Sequence, residues 1–229
     1  MAIAPTRRQS LGALITAAIA LCPALAWGGA QEVGRNLIEA AGRGDAAEIG
    51  RLLVQGAAVD ARDGTDRTAL HHATEGNHIA AAVVLIEAGA DVNASDGASI
   101  DHTPYLMAGA RGYLEILSPM LAHGADLAST NGYGGTALIP ACERGFVEVV
   151  RALIEAGTEL DHVNRLGWTA LLEAVILSDG GPAHQQIVAM LLEAGADPSL
   201  ADRDGVTPLA HAEARGFDAI AALIRGHGG

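Results

Sequence analysis

Thr68-Ala-Leu-His-His-Ala73 returns four times along the chain, as Thr103-Pro-Tyr-Leu-Met-Ala108, Thr136-Ala-Leu-Ile-Pro-Ala141, Thr169-Ala-Leu-Leu-Glu-Ala174 and Thr207-Pro-Leu-Ala-His-Ala212. The intervals are 35, 33, 33 and 38 residues. A second motif keeps phase 21 residues after the first: Gly89-Ala-Asp-Val-Asn93, Gly124-Ala-Asp-Leu-Ala128, Gly157-Thr-Glu-Leu-Asp161 and, five residues late, Gly195-Ala-Asp-Pro-Ser199. Gly56-Ala-Ala-Val-Asp60 closes a further unit that lacks the threonine hexapeptide. Two motifs locked in phase at this period define a tandem array of one supersecondary unit.

Each residue type has a physical task. A threonine hydroxyl accepts a backbone N–H at a helix start, and Pro104 or Pro208 suits the first turn, where its missing donor costs nothing. Gly112, Gly145 and Gly216, each nine residues after a threonine, stand where the first helix stops and φ > 0 is favoured. Runs such as Val147-Glu-Val-Val-Arg-Ala-Leu-Ile154 carry apolar residues at helical spacing and close with the next glycine. One such unit cannot bury its apolar face alone, whereas stacked units build a continuous core with more polar ends.

The Thr-Pro-Leu-His-x-Ala signature on a unit of about 33 residues resembles the ankyrin repeat family. The resemblance covers everything after the first 30 residues. It implies an all-α solenoid of about six helix-turn-helix repeats with β-hairpin loops, spanning 31–229, with units near 33–63, 64–97, 98–131, 132–164, 165–202 and 203–229. It also gives His71 a hydrogen-bonding role in its turn, and matches His78 to the histidine that opens a second helix.

Composition agrees with an ordered, helical chain. Half of the residues are hydrophobic but only 3% are aromatic, which suits close helix packing through alanine and leucine better than a deep pocket. Lysine is absent, every positive side chain being arginine.

Residues 1–26 read as a secretory signal peptide rather than as part of the array. Arg7 and Arg8 precede an apolar stretch from Leu11 to about Leu25, and Ala24-Leu-Ala26 offers small residues for cleavage before Trp27. The apolar run is shorter than the ~20 residues of a spanning helix, so no membrane span is expected after cleavage. Thr6-Arg-Arg-Gln-Ser-Leu11 resembles a twin-arginine export motif with Ser10 in place of the preferred Phe, and the Sec and twin-arginine routes stay open alike. Leu21 before Cys22 argues against a lipoprotein. The expected location is periplasmic or secreted.

Loss of Arg7 and Arg8 would reduce 14 positive side chains to 12 against 27 acids, a net charge of −15. Such a surface repels phosphate, so nucleic acid is not expected as a partner and a basic protein is a natural one. Cleavage would also leave Cys142 as the sole thiol, read as a small buried side chain. The nine histidines show no His-x-x-x-His pair or accompanying Glu/Asp/Cys cluster, so neither a metal nor any other cofactor is expected. No Gly-x-Ser-x-Gly elbow or phosphate-binding loop is present, and the paired acids Asp63 and Asp66 fall in a turn. No enzymatic activity is expected.

In the resembled family, hairpin tips and the exposed side of each first helix bind other proteins. By register the tips here supply Arg67, His102, Tyr133, Arg165, Trp168 and Arg203, and the first helices supply His72, Met107, Arg111, Glu143, Arg144, Glu173 and Arg215. Arg144, Arg165, Trp168 and Tyr133 come from adjacent repeats in the same register, so stacking is expected to bring them onto one concave stretch, and Trp, Tyr and Arg are the residue types that dominate interface energetics.

Irregularities gather in the middle of the array. Pro119 falls at an expected core position of a second helix, where a proline costs about 3 kcal/mol. Two extra residues sit near Ala98 and Ser99, Pro140 lies inside a first helix, and Ser178-Asp-Gly-Gly-Pro-Ala183 lengthens the fifth inter-helix turn. The expected function is a monomeric, non-catalytic protein-protein interaction module of the bacterial periplasm, active in envelope or stress protection. The alternative is an inhibitor or immunity protein that blocks a toxin or hydrolase.

Overall fold

The computed structural model describes the backbone of residues 23–229 and side chains from residue 31 onward. The arginine pair and most of the expected signal peptide lie outside the described residues. Helix α1 (Pro23–Gly42) crosses the expected Ala26–Trp27 junction without a break.

Twelve described helices form six antiparallel pairs. After α1 come α2 (Ala46–Val54), α3 (Ala69–Glu75), α4 (Ile79–Glu87), α5 (Pro104–Arg111) and α6 (Leu114–Ala122). They are followed by α7 (Leu138–Glu143), α8 (Val147–Glu155), α9 (Ala170–Ile176), α10 (Pro182–Glu193), α11 (Pro208–Ala214) and α12 (Asp218–Gly226). First helices stack in the order α1, α3, α5, α7, α9, α11, and second helices in the order α2, α4, α6, α8, α10, α12. Threonine hexapeptides open α3, α5, α9 and α11 as the sequence predicts, and α7 is the exception. Thr103, Thr169 and Thr207 accept the backbone N–H groups of Leu106, Leu172 and Ala210 at 3.1, 3.2 and 3.2 Å.

Repeat 2 replaces that cap with a reciprocal one. The Thr68 N–H donates to Nδ1 of the fully buried His71 at 3.1 Å, which places the imidazole proton on Nε2. Nε2 then donates across the stack to the His102 carbonyl at 3.3 Å. Burial lowers the His71 pKa, so the neutral ring that this arrangement requires is the favoured one.

Glycine closes the first helices where a positive φ is needed, and it does so under tight packing. At Gly112, φ is 76°, and a Cβ would stand 2.9 Å from the ring of Phe146, the residue that opens the second helix of the next repeat. The core between the two helix layers is aliphatic, running from Leu37 through Leu70, Leu85, Leu117, Leu153 and Leu191 to Ile224. Cys142 is buried in it, and burial raises its thiol pKa. At the C-terminal end only Pro208 and Ala212 of α11 are buried, and the exposed remainder is small or polar, as Ala210, Glu213 and Ala214, which lets this helix end the array.

The tips between repeats are turns closed by one recurring device. Asp63, Asn131, Asn164 and Asp202 each accept, through Oδ1, the N–H groups two and four residues ahead. Among the described residues these tips form no strand, only an isolated bridge between Arg62 and Thr68.

Two expectations about irregular positions change. Pro119 is not at a core position: Ile116, Leu117 and Met120 fill the core of α6, and Pro119 is half-buried beside them. The insertion near Ser178 does more than lengthen a loop. Part of it becomes helix, so α10 has 12 residues where the other described second helices have 9.

Candidate functional site

In three of the five hexapeptides the fifth position points back toward its own tip. In repeat 2, His72 Nε2 meets Asp63 Oδ2 at 2.7 Å, and in repeat 6 His211 Nε2 meets Asp202 Oδ2 at 2.7 Å. Repeat 5 keeps the nine-residue spacing but exchanges the partners. There the tip carries the amide, and Asn164 Nδ2 donates to Glu173 Oε1 at 2.7 Å. The carboxylate has moved from the tip onto the helix, and Glu173 is only 4% exposed.

Repeat 4 has nothing at this position that reaches the tip, because the residue is Pro140. Without an N–H, Pro140 cannot make the bond that His72, Met107, Glu173 and His211 make to the carbonyl of their threonine. The Ile139 N–H takes the Thr136 carbonyl instead, at 3.2 Å, and α7 begins one residue late at Leu138. The residue before the threonine is Gly135, where the other repeats have Arg67, His102, Trp168 and Val206. Repeat 4 therefore has neither a side chain before its threonine nor a fifth residue that reaches its tip.

A groove of about 370 Å³ opens there. Ile100, Asp101, Asn131, Tyr133, Asn164 and Leu166 line it from three successive tips, and Ile139, Pro140, Glu143, Arg144, Glu173 and Leu177 from α7 and α9 with their C-caps. No second helix contributes. Ile100, Tyr133, Leu166 and Leu177 are 52, 55, 47 and 47% exposed, and they account for four of the six large hydrophobic side chains exposed among the described residues. Exposed apolar surface concentrated in this way marks a contact site.

The electrostatics of the groove are acidic. Burial, and then the charge of Glu143, raises Glu173 to a pKa of about 7, opposed by the Asn164 hydrogen bond and by Arg144. Burial also raises Asp101, again with Arg144 in opposition. The Arg144 guanidinium donates to the Ala110 carbonyl of the preceding repeat and lies 4.0 Å from Glu143. Among the described residues no group of three or more His, Cys, Asp or Glu is placed to hold a metal ion.

The structure brings together only part of the expected binding set. Tyr133, Glu143, Arg144 and Glu173 line the groove. Met107 is buried and offers no surface. Arg67 is tied to Glu75 at 2.8 Å and lies 3.8 Å from the buried Asp96. His72 is held by Asp63, and His102 donates from Nε2 to the Thr130 carbonyl at 2.9 Å. Trp168 is half-buried at its tip, outside the groove lining.

The expected arginine anchors largely connect repeats to one another. Arg111 donates to the Glu75 carbonyl at 3.1 Å and Arg215 to that of Ser178 at 2.8 Å, as Arg144 does to Ala110. These carbonyls lie at or just beyond the C-terminal ends of preceding first helices, where a cation is favoured. Along the tips, Arg165 donates to the Gly132 carbonyl at 2.9 Å and Arg203 to that of Arg165. Histidines continue the pattern: His78 with Gly42 at 3.0 Å, His162 with Gly134 at 2.7 Å and His184 with Glu143 at 3.0 Å.

Sequence reasoning missed Ile100, Asp101, Leu166 and Leu177. Two signals were available for them. One was the pairing of Gly135 with Pro140, where neighbouring units carry larger side chains; the other was the occurrence of apolar residues in tips that are otherwise polar.

Comparison with known proteins covers most of the array. A family profile described as "Ankyrin repeats (3 copies)" matches residues 31–96 and 105–202. The ankyrin repeat protein YahD of Escherichia coli (strain K12) is 39% identical over 186 residues, which cover 81% of this chain and 92% of YahD. The mouse "Ankyrin repeat and SOCS box protein 16" is 32% identical, but the match spans only 42% of that protein. Among solved structures, an ankyrin repeat domain from Acinetobacter baumannii AYE is 59% identical with a TM-score of 0.81, covering 84% of this chain and 97% of that one. The ankyrin repeat protein EF0377 is 40% identical with a TM-score of 0.79 at the same coverages.

Proposed function

The chain belongs to the ankyrin repeat family, and from that premise we propose that it is a non-catalytic protein-protein interaction module which docks a partner protein on the face built from tips and first helices. The observation that carries this reading is the groove over repeats 3 to 5, around which exposed apolar side chains gather on an otherwise acidic, polar surface. The test is site-specific photocrosslinking in the native bacterium. A photoreactive side chain at Leu177 is expected to give a discrete protein adduct, and one at the exposed Glu155 of α8 none. Equal adducts from both positions, or adducts from Glu155 alone, would reject the assignment of this face.

The proposed site of action is the periplasm, where the protein protects an envelope component or a stress enzyme by binding it. This rests on the leader read from Arg7, Arg8 and Ala24-Leu-Ala26. Periplasmic material is expected to begin at or near Trp27 on N-terminal sequencing. Protein found only in the cytoplasm with Met1 retained would overturn the location.

A further inference from the structure

We propose that the groove over repeats 3 to 5 seats the cationic side chain of an arginine or lysine presented by the partner, with the Glu173 carboxylate as its floor. The inference rests on the protein-binding reading above and names the chemistry of what is bound.

Glu173 is more than nine-tenths buried, yet only its Oε1 is engaged, by Asn164. No described residue donates a hydrogen bond to Oε2, although the side chain lines the open groove. Oε2 is not itself closed off from water, so it faces the groove as an open acceptor at which a ligand donor can displace solvent. In repeats 2 and 6 the corresponding position is a histidine satisfied by its tip aspartate, so only repeat 5 offers a free acceptor on the helix.

Charge decides the sign of the ligand. The lining carries three carboxylates, Asp101, Glu143 and Glu173, against one cation, Arg144, whose guanidinium is engaged by the Ala110 carbonyl and by Glu143. Ile100, Tyr133, Leu166 and Leu177 surround this acidic floor with apolar surface that suits the methylene stem of a long basic side chain. Tyr133 adds an aromatic ring for the cationic head. The formal charge of −13 draws basic partners from a distance.

Ionisation of Glu173 makes the interaction pH-dependent. A cation favours the carboxylate, so affinity rises with pH through about 7. The other groups facing Glu173 are Glu143, Arg144 and the Cys142 thiol from α7 and its C-cap and Asp101 from across the groove, while α11, which packs against α9, carries His211 held by Asp202 at 2.7 Å. Glu173→Gln separates Glu173 from these, and the amide oxygen of glutamine retains the Asn164 bond.

The test is an NMR titration of the full chain with three tripeptides, acetyl-Ala-Arg-Ala-amide and its Lys and Gln counterparts. The basic peptides are expected to shift groove resonances at least fivefold more tightly than the Gln peptide, and to gain affinity between pH 6 and pH 8. Glu173→Gln is expected to abolish both the preference and the pH dependence while leaving the rest of the spectrum unchanged. Equal affinity for all three peptides, or an arginine preference that survives Glu173→Gln, would overturn the proposal. If the Leu177 photocrosslink to a partner forms nonetheless, the docking face stands and only its cationic anchor falls. A dimer in sedimentation that Tyr133→Ala dissociates would also overturn it, by placing a second copy in the groove.

Discussion

A single register position shows how this protein departs from regularity. The fifth residue of the hexapeptide is His72, Met107, Pro140, Glu173 and His211 in successive repeats, and in the first, fourth and fifth of these it is bonded to a tip residue nine positions earlier. Glu173 is the costly choice among them. Its raised pKa means that folding favours the protonated form, so the stability that it permits is complete below the ordinary glutamate pKa of 4.5 and declines as pH rises through about 7. Glu173→Gln is therefore expected to stabilise the protein at pH 8 by on the order of 2 kcal/mol, with the gain shrinking toward zero near pH 4.5. Thermal melts of both proteins at pH 5 and pH 8 give the measurement; a variant no more stable at pH 8 than at pH 5 relative to the parent would show that Glu173 carries no such cost. A local rule broken at a stability cost is the pattern of a binding site.

At this scale the sequence was only partly readable. The hexapeptide located Glu173 and the turn located Tyr133, because both belong to the repeat register. Register alone did not show which side chains are free. Arg111, Arg165, Arg203 and Arg215 donate to carbonyls 33 to 38 residues away, a distance that exists only after the repeats stack. Met107 turns inward because the position is set by packing against neighbours, not by spacing from its threonine.

At the scale of elements, many helix boundaries were legible because they carry their own chemistry: threonine at the start of α3, α5, α9 and α11, and glycine with positive φ at or just after many helix ends. What the sequence could not supply was the rotation of a helix about its axis. Pro119 lies one residue before Met120, and that one step moves it from the core line of α6 to its flank. The proline still removes the N–H that would bond the Glu115 carbonyl one turn earlier, while Ser118 Oγ donates to the carbonyl of Leu114 at 2.9 Å. Pro119→Ala restores a backbone donor without adding bulk, and is expected to raise stability by about 1 kcal/mol. Urea denaturation reads this directly, and a lower midpoint would mean that the proline fixes a bend on which the stack relies. Gly112→Ala gives the opposite case. Its positive φ and the 2.9 Å approach to Phe146 act together, so a loss of more than about 1 kcal/mol is expected by the same assay. A neutral outcome would show that Phe146 can swing aside.

At the scale of the whole molecule, stability is distributed between neighbours. Contacts run from each repeat to the adjacent ones, through first helices on one side and second helices on the other. The last repeat covers the apolar face of the fifth with Ala212, Ile220, Ala221 and Ile224, while its own exposed side carries alanines and charged residues such as Glu213, Asp218 and Arg225. In a linear array of this kind the total is close to a sum of repeat and interface terms. Removing residues 203–229 is expected to uncover α9 and α10 and lower the melting temperature by on the order of 10 °C. The first five repeats should keep their helical circular dichroism, because the interfaces among them are untouched. The truncated chain should also retain the groove, whose lining ends at Leu177 and includes nothing from repeat 6, and so bind the arginine tripeptide as the full chain does. Collapse of the helical signal on truncation would mean that the array folds as one cooperative block, and that the groove depends on its far end.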